Sequence, residues 1–214
     1  MKKDFTRLIA SILFYSFLGL GLFALVNCGG GGGGGGGSAP TTGSLTINNG
    51  SQAQVAGVYI SPTSTSSWGP NQLSNPIASG GSATIGSLPP NRYDARAIHL
   101  GVYSFYYAYL MNFPISAGST YTGTIIDSSF TGTIRIINNS SWATLIAIYI
   151  SPASASSWGA NQLSSSIAHG TYRDIVDIPA GSYSVKGVWQ DGGTTISDGI
   201  VVASMTRKDL TGNY

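Results

Sequence analysis

Charged residues are scarce in this chain of 214 residues, of which only 8% are Asp, Glu, Lys or Arg. A typical soluble domain has about a quarter of its residues charged. All eight acidic residues are Asp, Glu is absent, and only four Lys are present, so the residues that favour long exposed helices are nearly missing. The composition excludes a helical bundle or a coiled coil. The 30 Gly and 12 Tyr, with abundant Ser and Thr, favour an all-β fold.

Cysteine occurs only once, as Cys28, which excludes a disulfide framework and any zinc site built from several cysteines. The net charge of +2 comes partly from the first residues, and without residues 1–27 the chain has equal numbers of basic and acidic side chains. A neutral chain without a Lys or Arg cluster cannot gain from counterion release on nucleic acid. We therefore expect no nucleic-acid partner.

The N-terminal segment has the pattern of an export signal. Basic residues Lys2, Lys3 and Arg7 precede an apolar run over residues 8–26. The pattern predicts a cleaved signal peptide over 1–27. A run of about 19 residues is also long enough to cross a bilayer, so an uncleaved anchor is the alternative. Both interpretations place the rest of the chain outside the cytoplasm.

The end of this segment, Leu25-Val26-Asn27-Cys28, resembles the lipobox of bacterial lipoproteins, with Asn27 where Gly, Ala or Ser is usual. The resemblance implies cleavage before a diacylated Cys28, which would attach the protein to the membrane. Residues 28–43 include nine consecutive glycines and predict a flexible linker with a reach of roughly 20 to 24 Å. Gly, not Asp, follows the cysteine, which favours the outer membrane in a cell with two membranes.

The rest of the chain contains an internal repeat with a period of 90 residues. About 24 of the 54 residues from Thr46 to His99 are identical to the residue 90 positions later, and the alignment needs no gap. It pairs Ile47-Asn48-Asn49 with Ile137-Asn138-Asn139. A long period that occurs only twice predicts two tandem domains, a first β-sandwich repeat over 44–130 and a second over 131–214.

Each repeat has short apolar, β-rich runs at regular spacing, which predict strands. In the first repeat these runs are Val55–Ile60, Ala83–Leu88, Tyr93–His99, Val102–Met111 and Tyr121–Ile126. In the second they are Ile134–Ile137, Leu145–Ile150, Ile175–Ile178, Tyr183–Trp189 and Thr194–Val202. Six or seven strands per repeat predict an immunoglobulin-like or prealbumin-like β-sandwich. The pattern resembles small β-sandwich repeats of secreted or lipid-anchored bacterial proteins, and this resemblance implies no catalytic residue.

Individual runs carry more detailed predictions. Leu145–Ile150 is apolar at nearly every position, which predicts a strand buried on both faces. In the longest shared motif, Pro62 and Pro152 are predicted to end strands because proline cannot donate to a ladder. The Ser-Ser pair after each proline is predicted to cap a short helical turn. Asp191-Gly192-Gly193 predicts a hairpin turn.

The same motif places a tryptophan and an asparagine in each repeat, namely Trp68, Asn71, Trp158 and Asn161. In a structural interpretation, both indoles are buried and close one end of each sandwich, and both amides bond loop backbone. In the alternative, the segment is a ligand loop for sugar, since Trp stacks on sugar faces and amides bond hydroxyls.

The most distinctive feature that the repeats do not share is an aromatic ladder. Alternation along Val102–Met111 places four rings on one face, those of Tyr103, Phe105, Tyr107 and Tyr109. The 90-residue offset aligns them with small or polar residues, Gly193, Thr195, Ser197 and Gly199. The ladder is either a core or domain-docking surface, or an exposed surface that binds a glycan or a protein partner.

Few residues suggest catalysis. His99 and His169 occupy different places in the two repeats. His169 could join Asp174 and Asp177, but alternation puts the two aspartates on opposite faces of a strand, so we expect exposed polar side chains. No Asp spacing matches a D-x-D-x-D-G calcium loop. We expect no catalytic residue, no metal and no cofactor.

The leading hypothesis is a lipid-anchored cell-envelope protein that acts as a non-enzymatic structural or binding module of the adhesion type. Its expected partners are the membrane, through the N-terminal lipid, and a glycan or protein ligand. The alternative hypothesis is a secreted carbohydrate-binding or hydrolytic accessory protein. Exposure of the tryptophans and of the ladder distinguishes a ligand surface from a structural one.

Overall fold

The structure is a computed structural model and describes residues 39–102 and 104–213. The predicted signal peptide, Cys28, most of the linker and Tyr103 lie outside the described residues. Within the described part the chain forms twelve β-strands and one 3₁₀ turn, Asp127–Ser129. No helix in that part is long and apolar enough to cross a bilayer.

The strands divide into two units of six. The first unit contains β1 (Gly43–Asn49), β2 (Gly57–Pro62), β3 (Ser82–Leu88), β4 (Asn91–Leu100), β5 (Phe105–Ile115) and β6 (Thr120–Ile125). The second contains β7 (Gly132–Asn138), β8 (Leu145–Pro152), β9 (Tyr172–Ile178), β10 (Gly181–Trp189), β11 (Thr194–Val202) and β12 (Arg207–Gly212).

Each unit has two three-stranded sheets with the same topology. The orders are β3-β1-β6 and β2-β4-β5 in the first unit, and β9-β7-β12 and β8-β10-β11 in the second. The first strand of each unit runs antiparallel to one neighbour and parallel to the other, the last strand of that unit. The prediction of an all-β fold with tandem β-sandwiches is confirmed.

Alternation of buried and outward side chains builds a separate apolar core in each unit. In β1 the inward residues Leu45 and Ile47 are fully buried, and Ile134 and Ile136 occupy the same places in β7. Met205 of the second unit also packs against the core of the first. The two cores are therefore distinct but adjoin at one point.

The ungapped 90-residue alignment is wrong at β1. Asn49 donates its amide to the carbonyl groups of Ala53 and Ile77, and Asn138, 89 residues later, makes the corresponding bonds. Asn139, which the alignment paired with Asn49, is exposed. A loop one residue longer after β7 accounts for the shift. A slip of one residue exchanges the two faces of a strand, so only the shorter offset keeps the apolar side chains inside.

The alignment also fails after β4. Arg96 pairs with Tyr109 across β4 and β5, whereas Lys186 pairs with Ile196 across β10 and β11. The second hairpin is thus three residues shorter. The counterparts of Tyr107 and Tyr109 are Thr194 and Ile196, not the residues that the fixed offset gave.

Four smaller expectations have mixed outcomes. Pro62 and Pro152 are the last residues of β2 and β8, and Gly192, with φ of +88°, lies in the β10–β11 turn, as predicted. No helix follows either proline; a hydrogen-bonded turn lies at 63–64 and at 153–154, and each Ser-Ser pair lies in a bend. The strand β8 is not buried on both faces, because Ile146 is 45% exposed and Tyr149 is half-buried. One face of its sheet meets the core and the other does not.

Candidate functional site

The side chains of the two motif asparagines connect the loop after each proline to a strand through hydrogen bonds. Oδ1 of Asn71 accepts hydrogen bonds from the N–H groups of Val58, at 3.0 Å, and Leu73, at 3.1 Å. The same two contacts recur at Asn161. Each amide oxygen is thus committed to backbone, and this fixes the position of the tryptophan three residues earlier.

The first-unit tryptophan belongs to a cluster of aromatic rings around one cation. The guanidinium carbon of Arg96 lies 5.1 Å from the ring centroids of Tyr59 and Trp68, and 5.2 Å from that of Tyr107. Tyr109 completes the group, with its ring centroid 6.0 Å from that of Trp68. We call these five residues the first cation cluster. Three rings within about 6 Å of a guanidinium give favourable cation–π attraction.

A smaller version of this arrangement occurs in the second unit. The ammonium nitrogen of Lys186 lies 4.7 Å from the ring centroid of Tyr149 and 5.2 Å from that of Trp158. We call these three residues the second cation cluster. The prediction that both tryptophans are buried is wrong, since each is only partly buried. In each unit the basic side chain lies over the indole on the outer side of a sheet, so neither indole is enclosed within the sandwich.

Asp177 of the second unit reaches the first cation cluster. The hydroxyl of Tyr109 donates to its Oδ2 at 2.7 Å. Asp177 is 6% exposed, so the expectation of an exposed polar side chain is wrong. The physical reason is a β-bulge: the register of β7 and β9 shifts where Asp177 lies, and its φ of +66° departs from strand geometry.

The buried carboxylate of Asp177 dominates the electrostatics of this junction. Burial raises the pKa of Asp177 to about 6, although the hydrogen bond from Tyr109 and the charge of Arg96 both act to lower it. Burial also raises the pKa of Tyr107. Asp177 Oδ1 and Arg96 Nε are buried without a hydrogen-bond partner in the described part of the chain. The negative charge of the Asp177 carboxylate is therefore only partly stabilised by hydrogen bonds and by the neighbouring positive charge.

The predicted aromatic ladder divides into two parts. Tyr103 lies outside the described residues, and Phe105 is 52% exposed. Tyr107 and Tyr109 are half-buried and contact the junction with the second unit. On the opposite face of β5, Tyr106 is buried in the core. One end of the ladder thus meets the other unit, and the other end meets solvent.

The candidate hydrolytic residues do not form one site. Asp174 makes a two-point ion pair with Arg135, at 2.7 and 2.8 Å, and this hydrogen bonding raises the pKa of Arg135. His169 Nδ1 contacts the carbonyl oxygen of Ser140. Asp177 faces Tyr109 instead. Within residues 39–102 and 104–213, no three His, Cys, Asp or Glu side chains lie together as a metal site would require.

The second unit contains a small cavity. It has a volume of about 30 Å³ and lies between the two sheets of the unit, lined by Gly187, Trp189 and Thr195 on one side and by Ile136 and Leu210 on the other. A space of this size accommodates a water molecule but not a sugar or a cofactor.

Sequence reasoning missed Arg96, Lys186 and Asp177 as members of these groups. A signal was present for the first two, because a basic residue recurs at the same place in both repeats of a chain with few charges. For Asp177 no such signal existed. Its burial depends on a bulge and on the relative position of two units, which residue spacing does not encode.

No family model and no curated protein matches this chain. Among solved structures, similarity is found to the Bacillus anthracis TIE protein, at 14% identity and a TM-score of 0.30. The match covers 81% of this chain and 34% of that protein. The minor pilin GBS52 of Streptococcus agalactiae matches at 12% identity and a TM-score of 0.30, over 79% of this chain and 94% of the pilin.

The major pilin of Streptococcus pyogenes matches at 8% identity and a TM-score of 0.24, over 83% of this chain and 98% of the pilin. At these values the comparisons identify no family. The assignment of the fold rests on the strand pairing of the chain itself.

Proposed function

We propose that the protein is an exported, non-enzymatic module of the cell envelope, of a structural and adhesion type. In this proposal a lipid on Cys28 and the glycine-rich linker hold two joined β-sandwiches away from the membrane. One observation carries it: Tyr109, in the most distinctive strand of the first unit, is hydrogen-bonded to a buried carboxylate of the second unit. Part of the aromatic ladder therefore serves to connect the units.

Further contacts support a connection between the units. The backbone N–H of Thr131 donates to the carbonyl of Tyr107 at 2.8 Å, and the Tyr107 N–H donates to the Thr131 hydroxyl at 3.0 Å. The backbone N–H of Met205 donates to the Thr131 carbonyl. These bonds tie the segment between the units to both of them.

The placement of the linker suits display of the second unit. The chain enters the first unit beside the β5–β6 turn, where the Gly118 N–H donates to the Thr42 carbonyl at 2.9 Å. The second unit contacts β5 near its other end, at Tyr107. Tyr107 and Ile115 lie eight residues apart along β5, a span of at most about 26 Å. A membrane anchor at the linker would thus leave the second unit at the far end.

Carbohydrate binding is a second candidate, because Trp158 is partly exposed on an outer sheet face. A glycan array probed with the full chain in detergent tests it. Loss of a specific signal in Trp158→Ala, with retention in Trp142→Ala, would favour this function over a purely structural one. Trp142 provides the control because it is 57% exposed and lies outside the cation clusters.

Lipid attachment is tested in cells grown with radiolabelled palmitate. We expect label in the wild-type protein and recovery of the protein with membranes. Cys28→Ser should abolish the label and release the protein or leave it unprocessed. Wild-type protein that carries no label and has an unmodified Cys28 would contradict the proposed anchor.

A further inference from the structure

The two units meet at a small junction centred on Thr131. Its backbone N–H donates to the Tyr107 carbonyl of β5, and its carbonyl accepts from the N–H of Met205, between β11 and β12. Met205 packs against the core of the first unit, and the other described residues of each core come from its own unit. Domains that share only a small interface generally move relative to each other. Thr131 is therefore the pivot about which the second unit can rotate.

Asp177 lies close to this pivot. Its neighbour Ile178 pairs across β9 and β7 with Gly132, the residue after Thr131. Since paired strands are about 5 Å apart, Asp177 lies within about 10 Å of Thr131. Asn138, at the other end of β7, is seven residues from Thr131, or about 23 Å. A rotation that separates Asp177 from the first unit therefore moves the far end of β7 about twice as far.

When the units are in contact, the carboxylate of Asp177 has few partners. It is 6% exposed, its Oδ2 accepts from the Tyr109 hydroxyl at 2.7 Å, and its Oδ1 has no hydrogen-bond partner in the described part of the chain. Among the described residues, Arg96 makes no ion pair with it. A buried ionised carboxylate with one donor is unfavourable, whereas the protonated form is buried at much lower cost. Separation of the units would give both oxygens access to water.

The described charged and titratable groups that act on Asp177 come from two strands of the first unit. They are Arg96 of β4 and the tyrosines Tyr107 and Tyr109 of β5. On β9 itself, Asp174 is engaged in its own ion pair. Burial outweighs these groups and raises the pKa of Asp177 from 3.8 to about 6. Since a pKa difference of one corresponds to a factor of ten, ionisation lowers the ratio of closed to separated molecules about a hundredfold.

We propose that the Tyr109–Asp177 contact is a pH-sensitive switch, which keeps the second unit closed against β5 in acid and lets it rotate about Thr131 at neutral pH. The closed state is fully favoured below pH 3.8 and is lost as pH rises through 6, because the buried junction accommodates only the protonated carboxyl. Rotation uncovers Tyr107 and Tyr109, the part of the aromatic ladder that the junction covers. The inference goes beyond the proposed function, since it concerns the relative position of the units and not their attachment or ligands.

The test is single-molecule fluorescence energy transfer in the detergent-solubilised full chain, with pH-insensitive dyes on Ser64→Cys and Ser141→Cys. Ser64 follows β2 in the first unit, Ser141 follows β7 in the second, and both are exposed. The chain without these substitutions reports any dye on Cys28. We expect two populations, closed and separated, whose ratio changes at least tenfold between pH 4 and pH 7.5 in favour of the separated one.

Asp177→Asn, which cannot ionise, should keep the ratio within twofold over the same interval, whereas Asp198→Asn, which removes an exposed carboxylate of β11, should change as the wild type does. A constant ratio in the wild type, or an equal change in Asp177→Asn, would overturn the proposal. Circular dichroism at each pH identifies any change that comes from unfolding.

If Asp177→Asn does not fold, Asp177→Ser must abolish the pH dependence for the proposal to stand. Serine suits this position because Ser87, at the corresponding bulge of the first unit, has a similar backbone conformation, with φ of +57° against +66° at Asp177. None of these outcomes bears on palmitate labelling of Cys28, so the switch and the membrane anchor fail separately.

Discussion

Tyr109 and Asp177 belong to different β-sandwiches, and the hydroxyl of one donates to the carboxylate of the other at 2.7 Å. Asp177 is 6% exposed, and its Oδ1 has no hydrogen-bond partner in the described chain. Burial with few hydrogen-bond donors destabilises the charged form of a carboxylate, so its ionisation is disfavoured. The junction between the units should therefore be sensitive to pH.

We predict that this carboxylate makes the protein less stable as pH rises. Burial raises the pKa of Asp177 from 3.8 to about 6 in the folded protein, so the folded state binds the proton more tightly than the unfolded state does. The stabilisation is fully present below pH 4 and is lost as pH rises through 6. A shift of this size corresponds to about 3 kcal/mol. Chemical denaturation of the wild type at pH 4 and pH 7.5 measures it.

The control for this prediction is Asp177→Asn, which keeps an acceptor for Tyr109 and cannot ionise. Between pH 4 and pH 7.5, the free energy of unfolding should fall by about 3 kcal/mol less in Asp177→Asn than in the wild type. Asp198→Asn removes an exposed carboxylate in β11 and should behave as the wild type does. Parallel pH profiles for the wild type and Asp177→Asn would show that Asp177 titrates normally.

The Tyr109 hydroxyl can be removed without removing its ring. We predict that Tyr109→Phe costs about 1 to 3 kcal/mol of unfolding free energy, because it leaves a second oxygen of Asp177 without a donor. It should also move the midpoint of the pH dependence above 6, since that hydrogen bond lowers the pKa of Asp177. Denaturation at several pH values measures both effects.

Tyr121→Phe provides a comparison for the loss of a hydroxyl. Tyr121 is half-buried and stacks on Phe113 with ring centroids 5.0 Å apart, and its hydroxyl makes no hydrogen bond to the described part of the chain. We expect a change within about 0.5 kcal/mol and no shift of the pH midpoint. Equal effects of the two substitutions would show that Tyr109 contributes only through its ring.

Residue spacing was enough to predict the fold class and most strands, because apolar alternation and turn residues are local signals. It named neither β1 nor β12; the sequence of β12, Arg207–Gly212, has no apolar pattern, and this strand pairs in parallel with β7. It also misplaced the counterparts of Asn49 and Tyr109, since a fixed offset cannot detect length changes in loops. Only the strand pairing revealed these shifts.

The candidate site could be predicted only in part. Tyr107, Tyr109 and Trp68 were singled out from the sequence, but their assembly around Arg96 was not. Rings from β2, β5 and the loop after Pro62 meet at one cation because both sheet register and loop position are fixed by long-range hydrogen bonds. Contacts between distant segments of this kind have no signature in local spacing.

The two tryptophans should differ in their contribution to stability. We predict that Trp68→Ala costs more than Trp158→Ala, by about 1 kcal/mol, because Trp68 also contacts the ring of Tyr109. Both costs should fall below the 3 to 5 kcal/mol that is typical of a fully buried ring, since each indole is only partly buried. Thermal or urea denaturation of the two variants measures the difference. A larger loss in Trp158→Ala would contradict the role assigned to the Tyr109 contact.

The final prediction concerns the corrected register of the repeats. Asn138 is fully buried at the end of β7 and donates its amide at 2.9 Å to the carbonyl groups of Ala143 and Ile167. Asn138→Ala leaves the Ala143 carbonyl without that donor and the Ser140 N–H without its acceptor, Asn138 Oδ1 at 3.0 Å, whereas the Ile167 carbonyl keeps the N–H of Leu145. We expect a loss of about 2 to 4 kcal/mol in the free energy of unfolding, because an unsatisfied buried polar group costs about 1 to 3 kcal/mol.

The neighbouring variant Asn139→Ala is the matched control, since the fixed 90-residue offset would assign the structural role of Asn49 to Asn139. Asn139 is exposed, and its side-chain amide donates to Oδ1 of Asn213 at the surface, at 3.1 Å. Its substitution should change stability by less than about 0.5 kcal/mol. If urea denaturation instead showed the larger loss for Asn139→Ala, β7 would have the register of the ungapped repeat. The assignment of Asn138 as the counterpart of Asn49 would then fail, because a one-residue slip would turn Ile134 and Ile136 away from the core.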